Sequence, residues 1–316
     1  MTEFGYALSS EEHAPNDLVR YAQRAEGAGF TFAAISDHYH PWVDQQGHAP
    51  FVWSVLGAIA QATSTLNVGT GVTCPTVRIH PAIIAQAAAT VTAMMPGRFF
   101  LGVGSGENLN EHILGDHWPP APVRQDMLRE AIAVIRQLWE GGYQSFDGSY
   151  YTVENARIYT LPEEPPSIIL AAAGPSAATL AGEAADGLWT VSPEAALIEK
   201  FTEAGGSGPR YGQATICWAA SEDEAKKTAF EWWPNAGIGG ELSQELPLPR
   251  HFEQAAELIT PDDLAEKLPL GPDPDRHAEA VKAFVDAGYD HVYIHQVGPD
   301  QEGFFDFFER ELRARL

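Results

Sequence analysis

Apolar residues recur along this chain in two alternating rhythms. Eight short runs rich in β-branched and aromatic residues read as strands: 4–8, 30–36, 66–72, 98–103, 168–172, 187–191, 214–219 and 291–296. Several are apolar at every position, which suits parallel strands covered on both faces. Between them, apolar residues return at three- and four-residue spacing. Helices are predicted over 17–28, 81–95, 125–139, 176–185, 274–287 and 304–316. Their ends carry boundary signals. The first stops at Gly29 and the fifth at Gly288, and the second opens on Pro81. Proline lacks the N–H that a first turn leaves unpaired, and glycine tolerates the left-handed turn that ends a helix.

Eight strands alternating with helices predict an α/β fold of the (β/α)8 TIM-barrel type. An open doubly wound sheet alternates in the same way, but it usually carries a dinucleotide fingerprint, and this chain has none. The 316 residues fit one barrel domain over 1–316. Two stretches exceed simple connections, about 105–124 and 221–273. Both are rich in Trp, Pro and Gly, as expected of lids or binding loops.

Charge narrows the partners. There are 19 Lys+Arg against 43 Asp+Glu, a net charge of -24, so phosphate backbones and anionic membrane surfaces are repelled on average. A small-molecule substrate is expected, with no nucleic acid and no membrane. Cys74 and Cys217 are too few for a disulfide framework. The first fifteen residues show no basic and apolar leader pattern, and no apolar run reaches the ~20 residues of a membrane span. A cytoplasmic location is expected.

In a (β/α)8 barrel the chemistry sits beyond the C-terminal ends of the strands. Polar and glycine residues collect there. The second predicted strand runs into Asp37-His38-Tyr39-His40-Pro41-Trp42, and the fourth into Gly104-Ser105-Gly106-Glu107-Asn108-Leu109-Asn110. His38 suits a general base, because imidazole titrates near neutrality. The plainer alternative is a loop histidine making an ordinary hydrogen bond. His38 and His40 also form an H-x-H pair that could bind a metal, which keeps a metal-dependent barrel hydrolase as an alternative. No histidine follows the fifth or sixth strand to complete such a site, so none is assigned. The glycines of 102–106 lack the lysine of a phosphate loop and instead allow a planar ligand close to the backbone. Glu107 could supply a proton; a surface carboxylate in a loop is the other option. Ala173-Gly174-Pro175-Ser176 opens a helix, where free N–H groups suit a phosphate; a tight turn with a serine cap would look the same.

Taken together, these segments resemble the luciferase-like superfamily of (β/α)8 barrels. Within it, they are similar to the deazaflavin-dependent group that includes the F420-dependent glucose-6-phosphate dehydrogenases. The resemblance runs over nearly the whole chain. It is carried by SDHYHPW at 36–42, GHAPF at 47–51, GTGVTCPT at 69–76, HPAIIAQAAAT at 80–90, RFFLGVGSGENLNE at 98–111, YYTVENARIY at 150–159 and AAAGPSAATLAGEAADG at 171–187. It implies coenzyme F420 as cofactor, with FMN the alternative in an oxygen-using monooxygenase of the same fold. It also implies a homodimer. His38 matches the base that takes an alcohol proton, Trp42 a tryptophan beside the developing charge, and Glu107 the proton donor to the deazaflavin ring. Asp37, Asn110, Ala172, Ala173 and Gly174 match coenzyme contacts, and Gly71-Val72 matches a non-proline cis peptide behind the ring. Glu11, His40, Trp189 and Ser192 are placed in the substrate pocket.

One departure bears on the substrate. Sugar-phosphate members place a lysine after the sixth strand, where this chain reads Val191-Ser192-Pro193-Glu194. A second lysine of the family, on a later helix, is replaced near Glu266. A phosphate beside Glu194 would be repelled. A neutral alcohol, unphosphorylated sugar or small ketone is therefore expected instead of glucose-6-phosphate, in a pocket narrowed by Trp189. Arg78, Arg98 and Arg124 are the candidates to balance the anionic coenzyme.

Overall fold

The structure, a computed structural model, describes residues 2–316. Ten strands form: β1 (Glu3–Leu8), β2 (Phe32–Ile35), β3 (Asn67–Thr70), β4 (Phe99–Val103), β5 (Gln144–Asp147), β6 (Thr152–Ala156), β7 (Ile168–Ala171), β8 (Gly187–Thr190), β9 (Arg210–Ile216) and β10 (His291–Gln296). Eight of them close into a barrel in the order β1-β10-β9-β8-β7-β4-β3-β2. Every neighbouring pair is parallel, and β2 pairs back onto β1 through Gly5↔Phe32 to Leu8↔Ile35. The predicted TIM barrel is the fold this chain adopts.

The outer faces of the strands pack on helices whose buried stripes follow helical spacing. In Pro15–Ala28 the buried residues are Leu18, Tyr21, Ala22, Ala25 and Ala28, and the helix ends where Gly29 takes φ 89°. Among the described residues no helix is long and apolar enough to cross a membrane.

Sequence expectations fail where boundary signals are weak. Helix Val52–Ala62 was not expected, because it is apolar nearly all round, starts after Phe51 with no side-chain cap, and ends at Thr63 in place of glycine. Helix Ala195–Glu203 buries only Leu197 and Phe201. The antiparallel β5–β6 pair is short and half-exposed, so it carries little apolar signal. The seventh barrel strand, expected over 214–219, runs instead from Arg210 to Ile216. Its inward residues include the polar Gln213 and Thr215, which disguise it, and after Ile216 the chain leaves the sheet to bridge Leu270 through Cys217. The stretch expected to be a long loop over 221–273 is mostly helical, with Glu222–Trp232, Leu242–Glu245, Pro249–Ala256 and Pro261–Lys267.

The barrel interior is filled unevenly. Phe32, Phe100, Trp189, Tyr211 and Tyr293 form one buried cluster with Ile169, Ala7 and Ala34. Trp189 and Tyr211 stack at 5.3 Å with an interplanar angle of 13°. The Trp189 indole N–H donates to the Tyr293 hydroxyl at 2.9 Å. Large rings need small neighbours. A Cβ on Gly69 would fall inside the Phe100 ring, so only glycine fits there. Overpacking of this kind typically costs about 1–3 kcal/mol. Gly69→Ala should therefore lower unfolding stability by about that amount in a urea titration; an unchanged midpoint would show that Phe100 can move aside at no cost.

Candidate active site

Above this aromatic floor, the inward positions become small: Ala7, Ala34, Gly71, Gly104 and Ala171. A cavity of about 1430 Å³ opens there. It is lined by Glu11, Asp37, His38, Trp42, Gly71, Val72, Glu107, Asn110, Ala172, Ala173, Gly174, Trp189 and Ser192, residues that come from the ends of six strands. Of the pocket residues singled out from sequence, only His40 stays outside the lining. Its Nδ1 lies 2.8 Å from the Leu109 carbonyl oxygen and its ring stacks on His112. His38 and His40 therefore do not converge. Among the described residues, no three His, Cys, Asp or Glu side chains are grouped to hold a metal.

His38 is the centre of a charged cluster. Its Nε2 lies 3.3 Å from Glu11 Oε1 and 3.7 Å from Glu107 Oε2. Its Nδ1 faces the His40 carbonyl oxygen at 3.1 Å, which orients the ring. The Trp42 ring stands 5.1 Å from the imidazole and packs in turn on Phe252, so the insertion that carries Phe252 backs the site. Asn110 ties the cluster together. Its Oδ1 accepts from the backbone N–H groups of Tyr39 and His40 at 2.9 and 3.1 Å. Its Nδ2 donates to Glu107 Oε2 at 3.1 Å and sits the same distance from His38 Nδ1.

The three ionisable groups shift one another. Burial works against a charged His38 ring, but the Glu11 and Glu107 carboxylates outweigh it, and the pKa rises above the ordinary imidazole value. Burial pushes the Glu11 carboxyl up; the His38 ring and a hydrogen bond from the Ser36 hydroxyl more than reverse this, so it falls below the usual value. For Glu107, burial raises the carboxyl, His38 offsets only part, and Glu11 adds to the rise. The arrangement favours an ionised Glu11, a His38 that binds a proton firmly, and a Glu107 that keeps its proton to higher pH than an ordinary glutamate. Groups pushed apart in this way suit proton transfer.

The rest of the cavity divides into a flat wall and an anion-friendly edge. The Gly71–Val72 peptide is cis, as the resemblance implied. A Cβ on Gly71 would press on Trp189 and one on Gly104 on Val72, so these positions leave bare backbone facing the cavity. Such a wall suits a planar ring. Ala172, Ala173 and Gly174 lead into helix Pro175–Ala184, whose first turn has no side-chain cap. Its free N–H groups are available to an anion. The Asp37 carboxylate is already engaged, accepting from Thr73 Oγ1 at 2.7 Å and Arg78 Nη2 at 3.0 Å. Arg78 is thereby spent on Asp37 and Glu111. Arg98 binds Thr63 and the Leu66 carbonyl, ahead of β4 and away from the cavity. Arg124 alone of the three candidate arginines lines the cavity, buried beneath Trp118 and held by Gln244 and Glu245.

Sequence reading missed several lining residues. Gln213, Thr215 and Tyr293 face inward at alternate positions on β9 and β10, beside His295 at the end of the eighth barrel strand, and this alternation was the signal available. Lys267, next to Glu266, also reaches the cavity edge, where its Nζ donates to the Gly237 carbonyl at 2.8 Å. Glu194 lies outside the lining and accepts from the Ser192 hydroxyl at 2.9 Å.

A closed parallel barrel with its polar cluster at the C-terminal ends of the strands defines a (β/α)8 enzyme. The chain belongs to the luciferase-like monooxygenase family, whose sequence profile matches residues 1–291. It is 37% identical over 327 residues to a protein of Microbacterium testaceum named F420-dependent glucose-6-phosphate dehydrogenase, covering 99% of this chain and 97% of the relative. A protein of the same name from Tsukamurella paurometabola is 36% identical, covering 99% and 98%. Among solved structures, an F420-dependent secondary alcohol dehydrogenase in complex with an F420-acetone adduct superposes with a TM-score of 0.92. It is 32% identical, covering 100% of this chain and 99% of that one.

The charged cluster makes a prediction independent of any reaction. Since Glu11 raises the His38 pKa, Glu11→Gln should lower it. In an NMR titration the wild-type His38 ring should have its midpoint above the ordinary 6.5, and the variant should move toward lower pH. An unmoved midpoint would mean that the two side chains do not interact as their geometry indicates.

Proposed function

We propose that the protein is a coenzyme F420-dependent oxidoreductase that interconverts an alcohol and a carbonyl compound and prefers a neutral, unphosphorylated substrate. The observation that carries this reading is the Glu11–His38–Glu107 cluster standing beside a bare-backbone wall and an uncapped helix start. The wall of Gly71, Val72 and Gly104 accommodates a flat ring system, and Ala172, Ala173 and Gly174 accommodate its phosphate. When bound, the deazaflavin supplies a two-electron hydride acceptor or donor.

The chain's own residues handle the protons. His38 Nε2 takes the hydroxyl proton of an alcohol in the oxidising direction and returns it in the reducing one. Glu11 offsets the charge that this creates on the ring. Trp42 covers the imidazole and limits water access. Glu107 holds a proton on the cavity wall and can release it when the charge beside it changes. A positioned base of this kind contributes roughly 10²–10⁴ in rate.

Charge supports a neutral substrate. Outside the Glu11–His38–Glu107 cluster, the cavity lining holds four acidic residues (Asp37, Glu111, Glu241 and Glu245) against the two cations Arg124 and Lys267. Both cations already donate hydrogen bonds within the protein. The coenzyme has a helix start to meet its phosphate; a second phosphate on the substrate would meet mainly acidic side chains. The likeness to the secondary alcohol dehydrogenase fits this choice, while the name shared by the two relatives points to glucose-6-phosphate as the substrate to test against it. The same reading takes the protein as a homodimer, to be checked by light scattering.

Three experiments test the proposal. In side-by-side fluorescence titrations, coenzyme F420 should bind more tightly than FMN; preference for FMN would move the reading to an oxygen-using enzyme. His38→Asn should keep F420 binding and lower kcat for a secondary alcohol by roughly 10²–10⁴. Saturable turnover of glucose-6-phosphate with a higher kcat/KM than neutral alcohols would overturn the substrate preference.

A further inference from the structure

Trp189 joins the barrel floor to the wall above it. It stands on β8 within the floor cluster, and with Tyr293 it is one of the floor rings that reach the cavity. Only 2% of it is exposed, so it offers a ligand little surface. What it touches is backbone. A Cβ built on Gly71 would lie 2.8 Å from Trp189 Cζ2 and 3.0 Å from Cη2. The benzene edge of the indole therefore rests against the Gly71 Cα, with room for a hydrogen and nothing larger. The main chain of Trp189 reaches the other half of the site. Its carbonyl oxygen accepts the Ala172 N–H at 2.8 Å, just ahead of Ala173 and Gly174. One residue thus contacts both the flat wall and the turn that leads into the uncapped helix.

The indole is held so that it does not give way. Tyr211 stacks on it at 5.3 Å, and Tyr293 meets it at 5.0 Å with an interplanar angle of 67°. The indole N–H donates to the Tyr293 hydroxyl, which donates to Gln213 Oε1. Gln213 Nε2 donates in turn to Thr215 Oγ1 at 3.0 Å. This chain runs in one direction, because an indole nitrogen can only donate. A large ring packed on its neighbours and tied by its polar atom keeps one rotamer. The Gly71 backbone that rests on it is prevented from receding toward the floor.

We propose that Trp189 is a positioning residue for the coenzyme. By holding Gly71 it sets the depth at which the planar ring seats above the barrel floor, in register with the turn that takes the phosphate. It acts through Gly71 and not on the reacting atoms. This assignment rests on the F420 reading above.

The test is a double-mutant cycle read by F420 fluorescence titration, with urea unfolding of each variant alongside. Trp189→Leu removes the indole edge and strands no buried donor, because Tyr293 still donates to Gln213. Its Kd for F420 should rise about tenfold. Gly71→Ala alone drives a methyl group into the indole, and its Kd should rise by about the same factor. In the double variant the methyl enters the space that the indole vacated. Its Kd should fall below that of either single variant, whereas independent effects would multiply to about a hundredfold loss. Tyr293→Phe keeps the packing and removes the acceptor of the indole N–H; its Kd should rise about threefold. An unchanged Kd in Trp189→Leu, with only the unfolding midpoint lowered, would make Trp189 a core residue and no more. A hundredfold loss in the double variant would show that it does not act through Gly71. Either result overturns the assignment and leaves the functional reading standing. If Trp189→Leu does not fold, an unchanged Kd in Tyr293→Phe overturns it in the same way. A wild-type protein that does not bind F420 overturns both.

Discussion

The interior of a closed eight-stranded barrel has room for a few layers of side chains and no more. Here the layers are spent unequally. Phe32, Phe100, Trp189, Tyr211 and Tyr293 take up the lower interior, and Gly69 yields its side-chain volume to Phe100. Because the bulk is concentrated there, the top can be built from Ala34, Gly71, Gly104 and Ala171 without leaving the barrel hollow. The site exists because of this division. A more even filling would close the cavity, and a smaller floor would let it drain through the barrel.

Upon that floor the charges are arranged by contact more than by net excess. A chain with a net charge of -24 still builds a site in which most of the buried carboxylates have a partner. Glu11 is answered by His38 and Ser36, Asp37 and Glu111 by Arg78, and Glu12 by His295 and the Gly298 N–H. Glu107 has no arginine beside it, and burial raises its carboxyl; burial raises the Glu111 carboxyl too, despite Arg78. Asn110 is the joint of this arrangement, since one amide fixes the backbone of the His38 loop and the Glu107 carboxyl together. The acidic excess of the chain is thus met locally by paired contacts, and the uncapped helix start after β7 is the part of the cavity edge with free backbone N–H groups.

The insertions complete the site from outside the barrel. Phe252 backs Trp42, Trp233 backs His295, and the 241–245 turn holds Arg124 against Trp118. The last of these also joins the two insertions, since Asn108 donates to the Glu245 carbonyl. The insertions thus hold cavity-lining side chains in place, which keeps the site geometry fixed.

Sequence alone determined the alternation of strands and helices, and with it the barrel. That pattern is local: β-branched runs, helical spacing, proline at helix starts and glycine at helix ends all act within a few residues. His38, Trp42, Glu107 and the 172–174 turn were legible for the same reason, since they lie in short polar segments directly after apolar strands. What the tertiary structure decided was everything set by neighbours distant in the chain. It turned His40 out of the cavity onto Leu109 and His112, tied Arg78 to Asp37, and brought Lys267 to the rim. It also began β9 at Arg210, ahead of where its apolar content suggested. Gln213 lay just outside the expected strand and Thr215 within it, and both become cavity residues once β9 is registered against β10. Glu11 and Glu12 stand side by side in the chain, and only closure of β1 between β2 and β10 gives each its own histidine.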